Sequence, residues 1–162
     1  MYVPTVLENN MKYIYYRPEK HNENISVSLH LTDTAGQEEY ENLRLSAYNG
    51  AHIIFHCFNI NLPSTLNNIR NKWYQEVKDN TNEKAVHILL GLKGDLPHNV
   101  SDQEIDRLSR SLDYDHWTII SSMTDKSEKI DRLFEKALDL YFKKNNIKFK
   151  KNTEKRSYCC IC

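Results

Sequence analysis

Asp33-Thr34-Ala35-Gly36-Gln37-Glu38-Glu39-Tyr40 is the stretch on which the reading of this 162-residue chain turns. It follows Ile25-Ser26-Val27-Ser28-Leu29-His30-Leu31, where apolar and polar residues alternate with the period of a half-buried strand. A carboxylate at the end of such a strand, then a glycine and an acidic helix start, suits the presentation of a metal ion and a phosphate. Asp33 can hold Mg²⁺ through water, and the Gly36 N–H can reach a phosphate oxygen because no Cβ intervenes. Gln37 is long enough to orient a water for in-line attack. The same residues also fit a simpler role, a strand ending in a turn that caps a helix.

The chain outward from the octet alternates strands and helices. Lys12–Tyr16 and Ile25–Leu31 read as a hairpin across Pro18–Asn24, a polar connection with a proline and two asparagines. Glu38 to about Tyr48 reads as a short helix, acidic at its start and ended by Asn49-Gly50. Ala51–Phe58 and Ala85–Gly91 are nearly continuous apolar runs of strand length, the mark of interior parallel strands. Leu66, Ile69, Trp73 and Val77 fall at helical spacing after Pro63-Ser64. Ser101 and Glu104 have capping-box spacing ahead of Ile105, Leu108 and Leu112. Trp117–Ile120 makes a short strand, and Ile130, Leu133, Phe134, Ala137, Leu138 and Tyr141 form the stripe of a last helix. The order implies an α/β layer fold with a mostly parallel sheet. His52 and His56 share strand parity, but with no third ligand they read as structural histidines.

Composition narrows the function classes. There is no run of 18 apolar residues and no signal-peptide pattern, so a soluble intracellular protein is expected. Net charge is zero but uneven. Residues 143–162 carry seven Lys/Arg and one Glu (+6), leaving 15 basic and 21 acidic residues in the body (−6). An acidic body with a basic tail argues against nucleic-acid binding and suits a tail that meets an anionic surface. Cys159, Cys160 and Cys162 end the chain, while Cys57 sits in an apolar run and reads as a small buried hydrophobe. That distribution makes neither a disulfide framework nor a zinc site.

The whole octet closely resembles switch II of the Ras-superfamily small GTPases. Tyr2-Val3-Pro4-Thr5-Val6 with Glu8-Asn9 resembles switch I of the Rho family, and Lys72-Trp73 with Glu76-Val77 is similar to a Rho-type helix. The resemblance implies a P-loop NTPase-like, Ras-like three-layer fold and a switch driven by GTP/GDP with Mg²⁺. By that resemblance Thr5 and Asp33 would hold Mg²⁺, Gly36 the γ-phosphate, and Gln37 the attacking water. Lys93, Asp95, Ser121 and Ser122 would hold guanine. Exchange factors, GTPase-activating proteins and effectors would dock on the switches, in control of actin or membrane traffic.

The chain departs from the family at several places, among them Leu7 for an aromatic residue and only Leu96-Pro97-His98-Asn99 where Rho proteins carry an inserted helix, and three departures bear on nucleotide binding. Leu92-Lys93-Gly94-Asp95 has leucine where the family has Asn or Thr, a loss of roughly 1–3 kcal/mol in base binding. Ser121-Ser122-Met123 replaces Ser-Ala-Lys. None of the four glycines lies in GxxxxGK[ST], so the first strand and phosphate loop are missing. Without that strand, residues 25–31 and 51–58 are expected to face each other across an empty place. Either an upstream βα unit of about 30 residues precedes Met1, or the chain is a pseudo-GTPase, a nucleotide-independent interaction module. The expected domains are a truncated Rho-like domain at 1–142 and a basic, cysteine-ended membrane-targeting tail at 143–162. Tyr158-Cys159-Cys160-Ile161-Cys162 fits C-a-a-X lipidation at Cys159, and equally a Cys-x-Cys ending modified at Cys160 and Cys162, or an unmodified tail. Lipid plus the basic run would place the protein on the cytoplasmic face of a membrane, with a cytosolic pool.

Overall fold

Strand formation spreads outward from the alternating stretch. A computed structural model describes residues 6–18, 24–148 and 156–161, the last segment by its backbone alone. The expected hairpin is present and longer than its sequence signal: β1 (Leu7–Tyr16) pairs antiparallel with β2 (Ile25–Thr34). Glu8, Asn9 and Asn10 have little strand propensity, and pairing with β2 overrides it. The Thr32 hydroxyl donates to Asn9 Oδ1 at 2.8 Å across the pair.

The rest of the sheet is parallel. β3 (Ile53–Asn59), β4 (Val86–Leu92) and β5 (His116–Ile119) follow in order. The space between β2 and β3 is not empty, which corrects the expectation above. There the backbone of β6 (Arg156–Ile161) runs parallel to both, and the sheet order is β1-β2-β6-β3-β4-β5. The physical reason is that adjacent interior strands with unpaired N–H and C=O groups are costly, and a β-prone segment is tethered within reach.

Helices cover both faces. On one, α5 (Ser127–Lys144) packs Leu133, Ala137 and Leu138 against Val27, Leu29, Ile53, Phe55 and Ile88. On the other lie α1 (Glu41–Tyr48), α2 (Pro63–Asn68), α3 (Tyr74–Asn80) and α4 (Asp102–Ser111). The capping box of α4 forms as read: Ser101 and Glu104 each accept from the other's backbone N–H. Gly50 ends the first helical segment at φ +85°, a conformation glycine adopts without penalty. Between α2 and α3 the chain widens into a π-turn, Ile69–Trp73, which keeps Ile69 in the core and brings Trp73 under the residues that follow β2. Such turns recur at functional sites. Cys57 is half-buried against the main core.

The two strand histidines go to different partners. His52 precedes β3 and stacks edge-on against Tyr141 of α5, ring centroids 5.1 Å apart. His56 is buried on the opposite face, its Nε2 3.3 Å from Nδ1 of His87 and its ring edge-on to Tyr114. Burial drives the pKa of His56 down to about 3 and that of His87 to about 4, with His87 adding to the first and Lys144 to the second. Both are neutral when folded. The unfolded chain therefore binds more protons below about pH 6.5, and stability falls as pH drops through that point. A thermal-melt series is expected to lose on the order of 2 kcal/mol per histidine by pH 5. The double variant His56→Leu/His87→Leu should flatten that slope. An unchanged slope would show that other groups carry it.

Candidate functional site

In a parallel sheet the C-terminal ends of the strands share one edge, and there ligands of α/β folds bind. Here that edge collects the segment after β2, Ile60 after β3, the Leu92–Asp95 turn after β4 and Ser121 after β5. A cavity of about 320 Å³ opens along it, lined among others by Asp33, Gly36, Arg44, Phe55, Trp73 and Leu92.

The octet is held from below by a buried cation. Arg44, 2% exposed, donates from Nε to Glu76 Oε1 at 3.0 Å and from Nη2 to Glu76 Oε2 at 3.2 Å. Its Nη1 donates to the carbonyls of Ala35 (3.0 Å) and Gln37 (2.6 Å). Tyr48 adds a hydroxyl donor to Glu76 at 3.0 Å, and the guanidinium lies 5.0 Å from the Trp73 ring centroid. Burial alone would raise the Glu76 pKa, but hydrogen bonds from Arg44 and Tyr48 hold it below the usual carboxylate range. The Glu76 partnership raises the Arg44 pKa in turn. On the rim Lys72 donates to Glu38 at 2.8 Å, which lowers the Glu38 pKa.

This arrangement fixes the backbone, buries Ala35 and leaves most of the octet's other side chains outward. Asp33, Gly36 and Gln37 are exposed. Gly36 is glycine for neither of the usual protein-internal reasons. Its φ is not left-handed, and an added Cβ would meet only Trp73 Cζ2, at 3.9 Å. The open side of the residue suits close approach of a phosphate oxygen.

The loops expected to read a base come together. The Ser121 hydroxyl donates to the Asp95 carboxylate and accepts from the N–H groups of Met123 and Thr124, both at 3.2 Å. Asp125 accepts from the Ser121 N–H at 2.8 Å and is held low in pKa by Lys129 and by that bond. Gly94 donates to the Ile120 carbonyl at 3.0 Å, and a Cβ there would fall 2.8 Å from Ile119 Cγ2. Lys93 sits at φ +60°, an uncommon position for a residue with a side chain. Lys93, Asp95 and Ser122 are exposed, and Ser121 is buried as the clamp between them. Thr5 and Cys162 lie outside the described residues, while Cys159 and Cys160 belong to β6.

Residues 1–143 match the protein-family model described as the Ras family. The chain belongs to the Ras family. Within it the relatives are of the Rho type. The chain is 42% identical over 106 residues to the GTP-binding protein rho4 of Schizosaccharomyces pombe, covering 65% of this chain and 50% of that protein. It is 37% identical over 145 residues to the Ras-like GTP-binding protein RHO1 of Entamoeba histolytica, covering 87% and 63%. With the GTP-binding protein rho2 of S. pombe it shares 32% identity over 174 residues, covering 99% and 81%. It is a Rho-like small GTPase chain spanning half the length of rho4 and 63% of RHO1.

Sequence reasoning missed Arg44 and Tyr48 as partners of the switch. Glu76 was visible in the Lys72-Trp73 motif, but nothing in the spacing of residues 44 and 76 announced their pairing. Arg44→Ala would leave the half-buried Glu76 without its cation. About 3 kcal/mol of stability should be lost, together with faster amide exchange across residues 36–40, read by hydrogen-exchange mass spectrometry. Loss of stability without faster exchange there would mean that Arg44 does not hold the switch.

Proposed function

We propose that this Rho-like domain acts as a GTP/GDP-dependent signalling switch, with its nucleotide on the C-terminal edge of the sheet. The convergence of Asp33–Gln37 and Lys93–Asp95 with Ser121 on one edge carries the reading. Bound there, Mg²⁺ would neutralise charge on the phosphates, with Thr5 and Asp33 as its protein ligands. Gly36 N–H would donate to the terminal phosphate, and the Gln37 amide would orient the attacking water. Asp95 would accept from the guanine edge, with the Lys93 stem along the ring and Ser122 N–H toward the base oxygen.

The donor set fits at the base and at the terminal phosphate. It does not fit along the phosphate chain, because no GxxxxGK[ST] cradle occurs in the 162 residues. Leu92 at the cavity wall and Met123, 83% exposed, offer the base no hydrogen bond from their side chains.

A second reading rests on β1. It is an edge strand, and Met11, Tyr13 and Tyr15 on it are 58%, 54% and 78% exposed. An exposed apolar edge suits a protein partner that adds a strand. In that reading the switches and β1 bind effectors or regulators without nucleotide. Both readings keep the basic tail as a membrane contact at the cytoplasmic face, with an isoprenoid on Cys159, Cys160 or Cys162.

Titration of the purified chain with fluorescent GDP in Mg²⁺ separates the two. The switch reading expects saturable binding that Asp95→Ala weakens about tenfold or more, and slow GTP hydrolysis that Gln37→Leu abolishes without changing affinity. Absence of binding by a chain whose melting is cooperative would leave the interaction module.

A further inference from the structure

Three contacts between the octet and the helices beneath it meet at one ring, that of Trp73. Arg44 lies with its guanidinium 5.0 Å from the Trp73 ring centroid, while its Nη1 holds the Ala35 and Gln37 carbonyls. The Lys72 ammonium lies 4.8 Å from the same centroid and donates to Glu38 at 2.8 Å. The third contact is direct: a Cβ on Gly36 would stand 3.9 Å from Trp73 Cζ2. Ala35, Gly36, Gln37 and Glu38 are consecutive, and each is tied to the indole directly or through one cation over it.

The local sequence sets the ring there. Trp73 ends the π-turn that begins at Ile69, and Ile69 and Val77 on either side of it are 1% and 4% exposed. With both of these locked in the core, the wider i→i+5 turn decides the angle at which Trp73 leaves the helix. A cation over an indole is drawn to the negative face of the π-system, and a flat guanidinium also stacks on it. Each such contact shifts a conformational equilibrium by roughly two- to fivefold, and by more where water is excluded, as it is around the buried Arg44. Leucine at position 73 would keep apolar contact but offer no π-face. Both cations would then lose their seat while Glu76 and Glu38 stayed in place.

We propose that Trp73 is a positioning residue for GTP hydrolysis, seating Arg44 and Lys72 so that the backbone of Ala35–Glu38 stays where the terminal phosphate and the attacking water need it. This rests on the nucleotide reading given under Proposed function. In that reading water attacks the terminal phosphorus, and GDP and inorganic phosphate leave. Gly36 and Gln37 act at that phosphorus, whereas Asp95 and Ser122 hold the base, so the indole bears on one end of the nucleotide and not the other. GDP has no terminal phosphate. Loss of the ring therefore slows hydrolysis and leaves GDP affinity alone, a split that general loosening of the fold does not produce.

Nitrogen-15 relaxation of the full chain without nucleotide reads the positioning by itself. Gly36, Gln37 and Glu38 should show backbone order parameters of about 0.85, and Trp73→Leu should bring them below about 0.6. Trp73→Phe, which keeps a π-face, should restore most of that order. Lys72→Gln removes one cation from a half-exposed position and should loosen Glu38 most, so it carries the test if Trp73→Leu fails to melt cooperatively. Octet amides as rigid in both variants as in the parent chain would overturn the positioning, whatever nucleotide does. Single-turnover hydrolysis and titration with fluorescent GDP in Mg²⁺ read the selectivity. Trp73→Leu should hydrolyse GTP about tenfold more slowly, with GDP affinity within about twofold of the parent, and Trp73→Phe should recover most of the rate. Equal losses of rate and GDP affinity would make Trp73 a packing residue and refute the selective role. A parent chain that binds no GDP refutes the switch reading instead, and the relaxation data still decide whether the ring holds the octet.

Discussion

An interior strand must satisfy hydrogen-bonding groups on both of its edges, and β2 and β3 each turn one edge toward the same slot. In this structure β6 fills it, and the sheet runs unbroken from β1 to β5. With β6 between them, β2, β3, β4 and β5 form one parallel sheet with their C-terminal ends aligned. Alignment brings the switch, the Leu92–Asp95 turn and Ser121 to a common edge. The segment after β2 is also tied to α1 and α3, because Arg44 bonds the Ala35 and Gln37 carbonyls and Glu76.

The site differs in rigidity along that edge. The end formed by the Leu92–Asp95 turn and Ser121 is locked by backbone and hydroxyl bonds around Ser121, and Gly94 is pressed so closely on Ile119 that no side chain fits. The switch end is held through one ion pair. Arg44 takes two carbonyls of the octet and both oxygens of Glu76, so the path of residues 35–37 follows from α1 and α3. A buried pair of this kind gives little net stability but strict geometry. One end thus resembles a preformed socket, and the other a loop pinned at its root with exposed side chains.

Much of this was legible in the residues. The alternation at Ile25–Leu31, the apolar runs at Ala51–Phe58 and Ala85–Gly91, and the Ser101/Glu104 cap each state a local preference that packing then kept. Four features were not legible. The first turn of β1 has polar residues that become a strand only by pairing with β2, a long-range effect. The π-turn at Ile69–Trp73 leaves apolar spacings of three and four that look like an ordinary helix. The terminal Tyr-Cys-Cys-Ile run reads locally as a lipidation signal, and its pairing with β2 and β3 is a long-range contact. Arg44 is a charge on a short helix, and its burial depends on partners in the octet and on α3 that are distant in sequence.

The proposed nucleotide site occupies one edge of the sheet and has two ends. Amide NMR of the full chain, titrated with GDP and Mg²⁺, tests it most directly. A single site spanning both ends gives concerted shifts at Gly36, Gly94, Ser121 and Thr124, all saturating with one dissociation constant. Shifts confined to one end, or none at either, would contradict it.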